Sequence, residues 1–178
     1  GIVSGQLANG LEPLIITSPF QDGYSTNCGR EIVDSVAVFR TKGASKLRVS
    51  ETYSGFFTRM RKMLRILSFA RQIAAVARKE QVDLIHAHST FFCGIAAFVA
   101  ARYLKVPVVY EVRSLWEERS RAPGLRGWLS YHLIRFLERT SCRLVDHVVV
   151  INKGLQSALV ARGVAAESIT IVANSVEN

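Results

Sequence analysis

Apolar residues in this chain come in short, β-branched runs separated by longer stretches with helical spacing, and past the middle the two patterns alternate strictly. EPLIITS, at 12–18, follows the helix-stopping pair Asn9-Gly10 and reads as a buried strand after the tail of a helix. Two short strands at 31–33 and 36–40 hinge on Asp34-Ser35, a pair suited to a tight turn. A long helix is predicted over 55–79, with Phe56, Met60, Met63, Leu64, Leu67, Ala74 and Ala77 at core spacing. A strand ending in His88 follows. Then come a helix at 91–104, a strand at 106–112, a helix at 125–144, a strand at 147–151, a helix at 154–162 and a strand at 168–173. Strands that are apolar almost throughout suit parallel pairing with both faces buried. Their alternation with helices predicts a doubly wound, Rossmann-like α/β sheet.

Composition narrows this picture. At 178 residues and 49% hydrophobic, the chain suits one domain with one sizeable core better than two. Arg102 and Lys105 close the apolar stretch 91–101, so no run reaches the roughly 18 to 20 residues of a membrane span. The chain starts at Gly1 without the basic-then-apolar layout of a signal peptide. Cys28, Cys93 and Cys142 are widely spaced, with no CxxC pair to suggest a zinc knuckle or a disulfide framework, and a reducing cytoplasm is the expected location. Lys and Arg outnumber Asp and Glu by 23 to 14, a net charge of +9 that favours polyanionic partners: nucleic acid, anionic lipid headgroups or a phosphorylated substrate.

Four apolar runs stop in polar groups. DLIHAHS ends in His88 and Ser89, PVVYEVRS in Arg113 and Ser114, HVVVINK in Asn152 and Lys153, and SITIVANS in Asn174 and Ser175. An open parallel sheet binds ligands beyond the carboxyl ends of its strands, so these residues are candidates for one site along one rim. His86 and His88 are two apart on a strand and leave it on the same face. A metal would need a third ligand, none lies at a fitting spacing, and no metal site is expected. The plain alternative makes His86 a core histidine holding a backbone carbonyl. Ser89 is a candidate cap for the helix that follows.

Arg113 ends an apolar strand, where an unpaired buried charge would cost several kcal/mol. Its guanidinium is open to two uses: a structural ion pair with Glu111 or Glu117, or a forked contact with phosphate oxygens. The polar link SLWEERSRAPGLR, at 114–126, carries Trp116 beside Glu117 and Glu118, an aromatic face with carboxylates that suits a sugar acceptor. Trp116 covering a sheet edge is the plainer reading. On the long helix, Arg59, Arg61, Lys62 and Arg65 form either a solvated face or a surface for anionic lipid headgroups.

In order, DLIHAHS with its helix, KVPVVYEVRSLWE, CRLVDHVVVINKGL and SITIVANSVEN resemble the amino-terminal half of the family 4 retaining glycosyltransferases of GT-B fold, which build polysaccharides and glycolipids. The likeness runs from about residue 14 to Asn178. It implies an acceptor-side Rossmann-like domain over 1–173 and the start of an interdomain linker at 174–178. A C-terminal domain would then carry most nucleotide-sugar contacts and the paired glutamates, leaving no catalytic residue assigned in this half. The implied substrates are a nucleoside-diphosphate sugar and a glycan or lipid-linked acceptor. His88, Ser89, Arg113, Trp116, Glu117, Asn152 and Asn174 would bind them, without a cofactor, divalent metal or nucleic acid. The family also implies docking of Arg59, Arg61, Lys62 and Arg65 on the inner face of a membrane. YEVRSLWE places Arg113 where many members carry His, which favours binding over proton shuttling.

A nucleotide-sugar epimerase of the same architecture is the alternative enzyme, and a non-catalytic basic module docking on membrane or nucleic acid is the alternative outside catalysis. Family members open with a strand and a glycine-rich loop that are not seen before Gly1. In the doubly wound order that strand lies between 14–17 and 84–88, so these two segments are not expected to pair directly.

Overall fold

The computed structural model describes residues 2–18, 29–41, 56–88, 90–115 and 123–173, without side-chain detail for 56–62 and 126. The chain forms two compact units, Gly1–Val76 and Ala77–Asn178. In the first, α1 (Ile2–Ala8) precedes a three-stranded sheet of β1 (Leu14–Thr17), β2 (Gly29–Val33) and β3 (Val36–Arg40), in the order β1-β3-β2. β1 runs parallel to β3, while β2 and β3 form an antiparallel hairpin with Val33 opposite Val36. Asp34 and Ser35 both take positive φ, 49° and 66°, the left-handed pair that a two-residue hairpin turn requires and that Asp tolerates. Val36 and Val38 are the buried face of this hairpin.

α2 (Phe56–Lys79) has the expected bounds within one residue, but its core face is shifted. Ile66, Phe69, Ala70, Ile73, Ala74 and Ala77 are buried, whereas Met63, Leu64 and Leu67 are exposed. The expectation of Met63, Leu64 and Leu67 in the core is therefore corrected. The helix carries two apolar stripes, and the one with Phe69 and the small alanines is the one that packs.

The second unit is a four-stranded parallel sheet in the order β4-β5-β6-β7: β4 (Ile85–His88), β5 (Val108–Val112), β6 (His147–Val150) and β7 (Ile169–Ile171). The helices α3 (Phe91–Leu104), α4 (Gly124–Leu144) and α5 (Lys153–Val160) connect successive strands, and a 3-10 turn, Ala166–Ser168, precedes β7. This is the Rossmann-like sheet that the alternation predicts. β1 and β4 lie in different sheets.

Local chemistry sets the boundaries. β5 starts at Val108 rather than 106 because Pro107 has no N–H to give a ladder; its carbonyl accepts from Ile85 N at 3.0 Å. Asp146 Oδ2 accepts from Val108 N at 2.8 Å and ties the start of β5 to the start of β6. Thr90, not Ser89, caps α3: its side chain accepts from Cys93 N. At the other end Lys105 takes a left-handed conformation, φ 61°, and returns its N–H to Ala101 O. Ser89 itself lies outside the described residues.

Val108, Tyr110, Val112, Val148 and Val150 form the sheet's contribution to the core, all nearly or fully buried. α3 meets them with Gly94 and a run of alanines, which lets it approach closely; a Cβ at Gly94 would stand 3.3 Å from the Tyr110 ring. Leu159 of α5 is wholly buried. Replacing Leu159 with Ala is expected to lower stability by about 2–5 kcal/mol, against less than about 0.5 kcal/mol for Leu133→Ala on the exposed face of α4. Denaturant unfolding of both variants checks the contrast, and equal losses would contradict this placement of the core.

Candidate functional site

Side-chain alternation and strand register bring the site together. On β5, Tyr110 and Val112 face the core, so Glu111 between them and Arg113 after them face the other way. Register pairs His86 with Val109 and His88 with Glu111, which sets both histidines on the face that Glu111 occupies. Glu111 is 4% exposed. Its Oε2 lies 2.9 Å from His88 Nδ1 and 3.5 Å from His86 Nε2, and its Oε1 lies 3.0 Å from Arg113 Nε. The two imidazoles lie 4.1 Å apart between centroids, tilted by 39° to one another. One carboxylate thus holds two rings and a guanidinium at the carboxyl edge of the sheet.

The geometry assigns work to each group. A carboxylate at Nδ1 makes that nitrogen of His88 the proton-bearing one, and Nε2 of the partly exposed ring is then the atom able to accept a proton from a hydroxyl. Arg113 uses Nε on the protein, and 47% of its side chain stays exposed, so the ion pair and an outward contact are compatible. Among the described residues His86 meets no backbone carbonyl; its Nε2 faces the Glu111 carboxylate instead. Burial lowers its pKa from the usual 6.5, and the neighbouring His88 adds to the effect against the opposing pull of Glu111.

The view that no third ligand accompanies the two histidines is also corrected. Glu111, from the adjacent strand, places its oxygen with a nitrogen of each ring so that all lie within 4.8 Å of one another. Such a His, His, Glu set is of the type that binds first-row metals. The same carboxylate is already neutralised by Arg113, and this opposes a further cation.

Asn152 follows β6 on the same edge, since all four strands run parallel. It caps α5, its Oδ1 accepting from Leu155 N at 2.8 Å. Trp116, Glu117 and Asn174, like Ser89, lie outside the described residues. So do the side chains of Arg59, Arg61 and Lys62, while Arg65 is half-buried and makes an interaction of its own. Glu111 is the residue that sequence reasoning undervalued. Its signal was present, a lone acid in the buried strand VVYEV, but its role depends on a register that one sequence does not display.

The carboxyl edge of this parallel sheet, the place where open α/β sheets hold their ligands, carries His88, Glu111 and Arg113. The Glycosyltransferase Family 4 profile matches residues 8–177, and the chain belongs to that family. Among solved structures, Anabaena HepE in complex with UDP and glucose is similar in fold, at 14% identity and a TM-score of 0.50 over 80% of this chain and 32% of that one. S. aureus MnaA in complex with UDP matches at 20% identity, TM-score 0.46, over 62% of this chain and 28% of that one. A UDP-GlcNAc 2-epimerase from Neisseria meningitidis bound to UDP-GlcNAc matches at 13% identity, TM-score 0.46, over 75% and 32%. The chain thus spans about a third of the length of these structures. No curated protein matches it.

The lowered pKa of His86 has a definite consequence for stability. As pH falls below 6.5 the unfolded chain takes up a proton that the folded chain refuses, so stability declines from there down to the lower folded pKa. Imidazole titration by NMR should give His86 a midpoint below 6.5, and His86→Asn should flatten the stability loss in that window. A midpoint at or above 6.5 would contradict the burial argument.

Proposed function

We propose that this protein transfers a sugar from a nucleoside-diphosphate donor to a glycan or lipid-linked acceptor, with retention at the anomeric carbon. One observation carries the reading beyond family membership: Glu111 fixes His88 and Arg113 side by side at the sheet's carboxyl edge. In such a reaction the protein orients the acceptor hydroxyl and stabilises charge on the leaving diphosphate. Arg113 offers the exposed remainder of its guanidinium to phosphate or to acceptor hydroxyls. His88 offers Nε2 to an acceptor hydroxyl. Ser89, Trp116, Glu117, Asn152 and Asn174 complete the rim in this proposal, with Trp116 as a stacking face for a sugar ring. UDP in the similar structures supports a uridine nucleotide as the first donor to test.

A second reading, epimerisation of the nucleotide sugar, draws on the same His88–Glu111 pair, because a histidine oriented by a carboxylate is competent to remove a proton from a sugar carbon. Solvent deuterium entering a UDP-sugar without acceptor would favour it. Label passing from a UDP-sugar to a lipid-linked acceptor would favour transfer.

For transfer, Arg113→Ala should lower kcat/KM roughly ten- to a hundredfold, the cost of one charge-assisted contact, and should also lower Tm because it leaves the buried Glu111 half-paired. Glu111→Gln should reproduce much of that loss although it touches no substrate, because it releases both His88 and Arg113. Unchanged transfer in Arg113→Ala would return the guanidinium to a purely structural ion pair.

A further inference from the structure

The register of β4 against β5 leaves one imidazole nitrogen unused. Among the described residues, His86 Nε2 is shut off from solvent and makes no hydrogen bond; 3.5 Å from Glu111 Oε2, it faces the carboxylate without bonding to it. A buried polar atom in that state is costly and uncommon. A second nitrogen meets the same oxygen, since His88 Nδ1 stands 2.9 Å from Oε2. Three donor atoms from two strands thus converge, and all lie within 4.8 Å of one another. A tetrahedral cation with bonds of roughly 2.0–2.1 Å sets its ligands about 3.3–3.4 Å apart. The separations of 2.9 and 3.5 Å fall on either side of that spacing, so small turns of the two rings would seat an ion.

Donor chemistry narrows the ion. Two imidazoles and one carboxylate suit zinc and its first-row neighbours, whereas Mg²⁺ and Ca²⁺ take oxygen ligands. The acid is buried, at 4% exposure, so it is not one of the scattered surface carboxylates that attract cations loosely. His88 keeps 40% of its side chain exposed, which gives an ion its way in and leaves a side open to water ligands. Arg113 sets the strength. It holds Oε1 and leaves Oε2 to the ion, although its charge opposes a cation through the shared carboxylate. A carboxylate that ligates with one oxygen and accepts a hydrogen bond at the other is the ordinary arrangement around protein metals.

We infer that His86 Nε2, His88 Nδ1 and Glu111 Oε2 form a reversible site for a divalent cation of the zinc class, and that its occupancy competes with use of His88 by an acceptor. Coordination needs the lone pair of Nδ1. The proton that Nδ1 holds against Glu111 moves through solvent to Nε2, with no net gain or loss, and Nε2 changes from acceptor to donor. The atom offered to an acceptor hydroxyl is withdrawn while the ion is bound. This inhibitory consequence rests on the transfer reading above; ion binding itself does not.

Isothermal titration of the full chain with Zn²⁺, Co²⁺ and Mg²⁺, with no donor sugar present, tests the site. One Zn²⁺ per chain is expected to bind, Co²⁺ is expected to compete with it and to show the visible absorption of a low-coordinate ion, and Mg²⁺ should give no heat. His86→Asn and Glu111→Gln should each weaken Zn²⁺ binding at least about tenfold. Arg113→Ala should tighten it about tenfold, because a neighbouring positive charge is removed. Cys93→Ser, which removes a half-buried free thiol, should leave it unchanged. Circular dichroism of His86→Asn should match the parent, so that its loss of binding is not a loss of fold. Zn²⁺ bound equally by the parent and by His86→Asn, weaker binding in Arg113→Ala, or Mg²⁺ bound as well as Zn²⁺ would overturn the site. Transfer that persists with the site filled would overturn the competition, whereas Zn²⁺ binding lost in His86→Asn upholds the site even where no transfer is detected.

Discussion

The Glu111 carboxylate is buried in a strand otherwise made of Val and Tyr, and a charge so placed costs several kcal/mol unless it is fully paired. Everything at the rim follows from meeting that requirement. Oε1 takes Arg113 Nε, and Oε2 takes His88 Nδ1 with His86 behind it. Each partner is thereby held in one orientation. Arg113 cannot swing away without leaving the acid half-paired, and His88 cannot exchange its ring nitrogens without turning a lone pair toward a carboxylate. The rim is organised before any ligand arrives, which is the condition under which electrostatic groups stabilise developing charge most effectively.

The same pairing explains why the two readings of Arg113 are not rivals. Among the described residues the ion pair engages the guanidinium through Nε, a geometry that leaves its forked end open to a second partner. His86 has the supporting place. Burial lowers its pKa, which disfavours a positive charge on this ring beneath the site.

Much of this fold is legible in the chain because strand and helix periods differ and alternate. The parallel sheet, its strands and its helices fall within a few residues of expectation, and the offsets have local causes such as Pro107 at the start of β5. Three things were hidden. The packing face of α2 was misjudged because apolar residues cover more than half its circumference, and only the neighbours choose between Met63-Leu64-Leu67 and Ile66-Phe69-Ile73. The cap of α3 fell one residue late because Ser89 and Thr90 are chemically equivalent until the backbone turns. Glu111 joined His86 and His88 only through the register of β4 against β5, which the parallel ladder sets and local sequence does not.

Parallel topology also ties the rim to the outward surface of α4. Every strand of the four-stranded sheet ends on one edge, and every helix between them starts there and returns to the other edge. A gradient along α4, apolar at its start and cationic at its end, is therefore a gradient across the whole layer, measured from the site edge to the far edge.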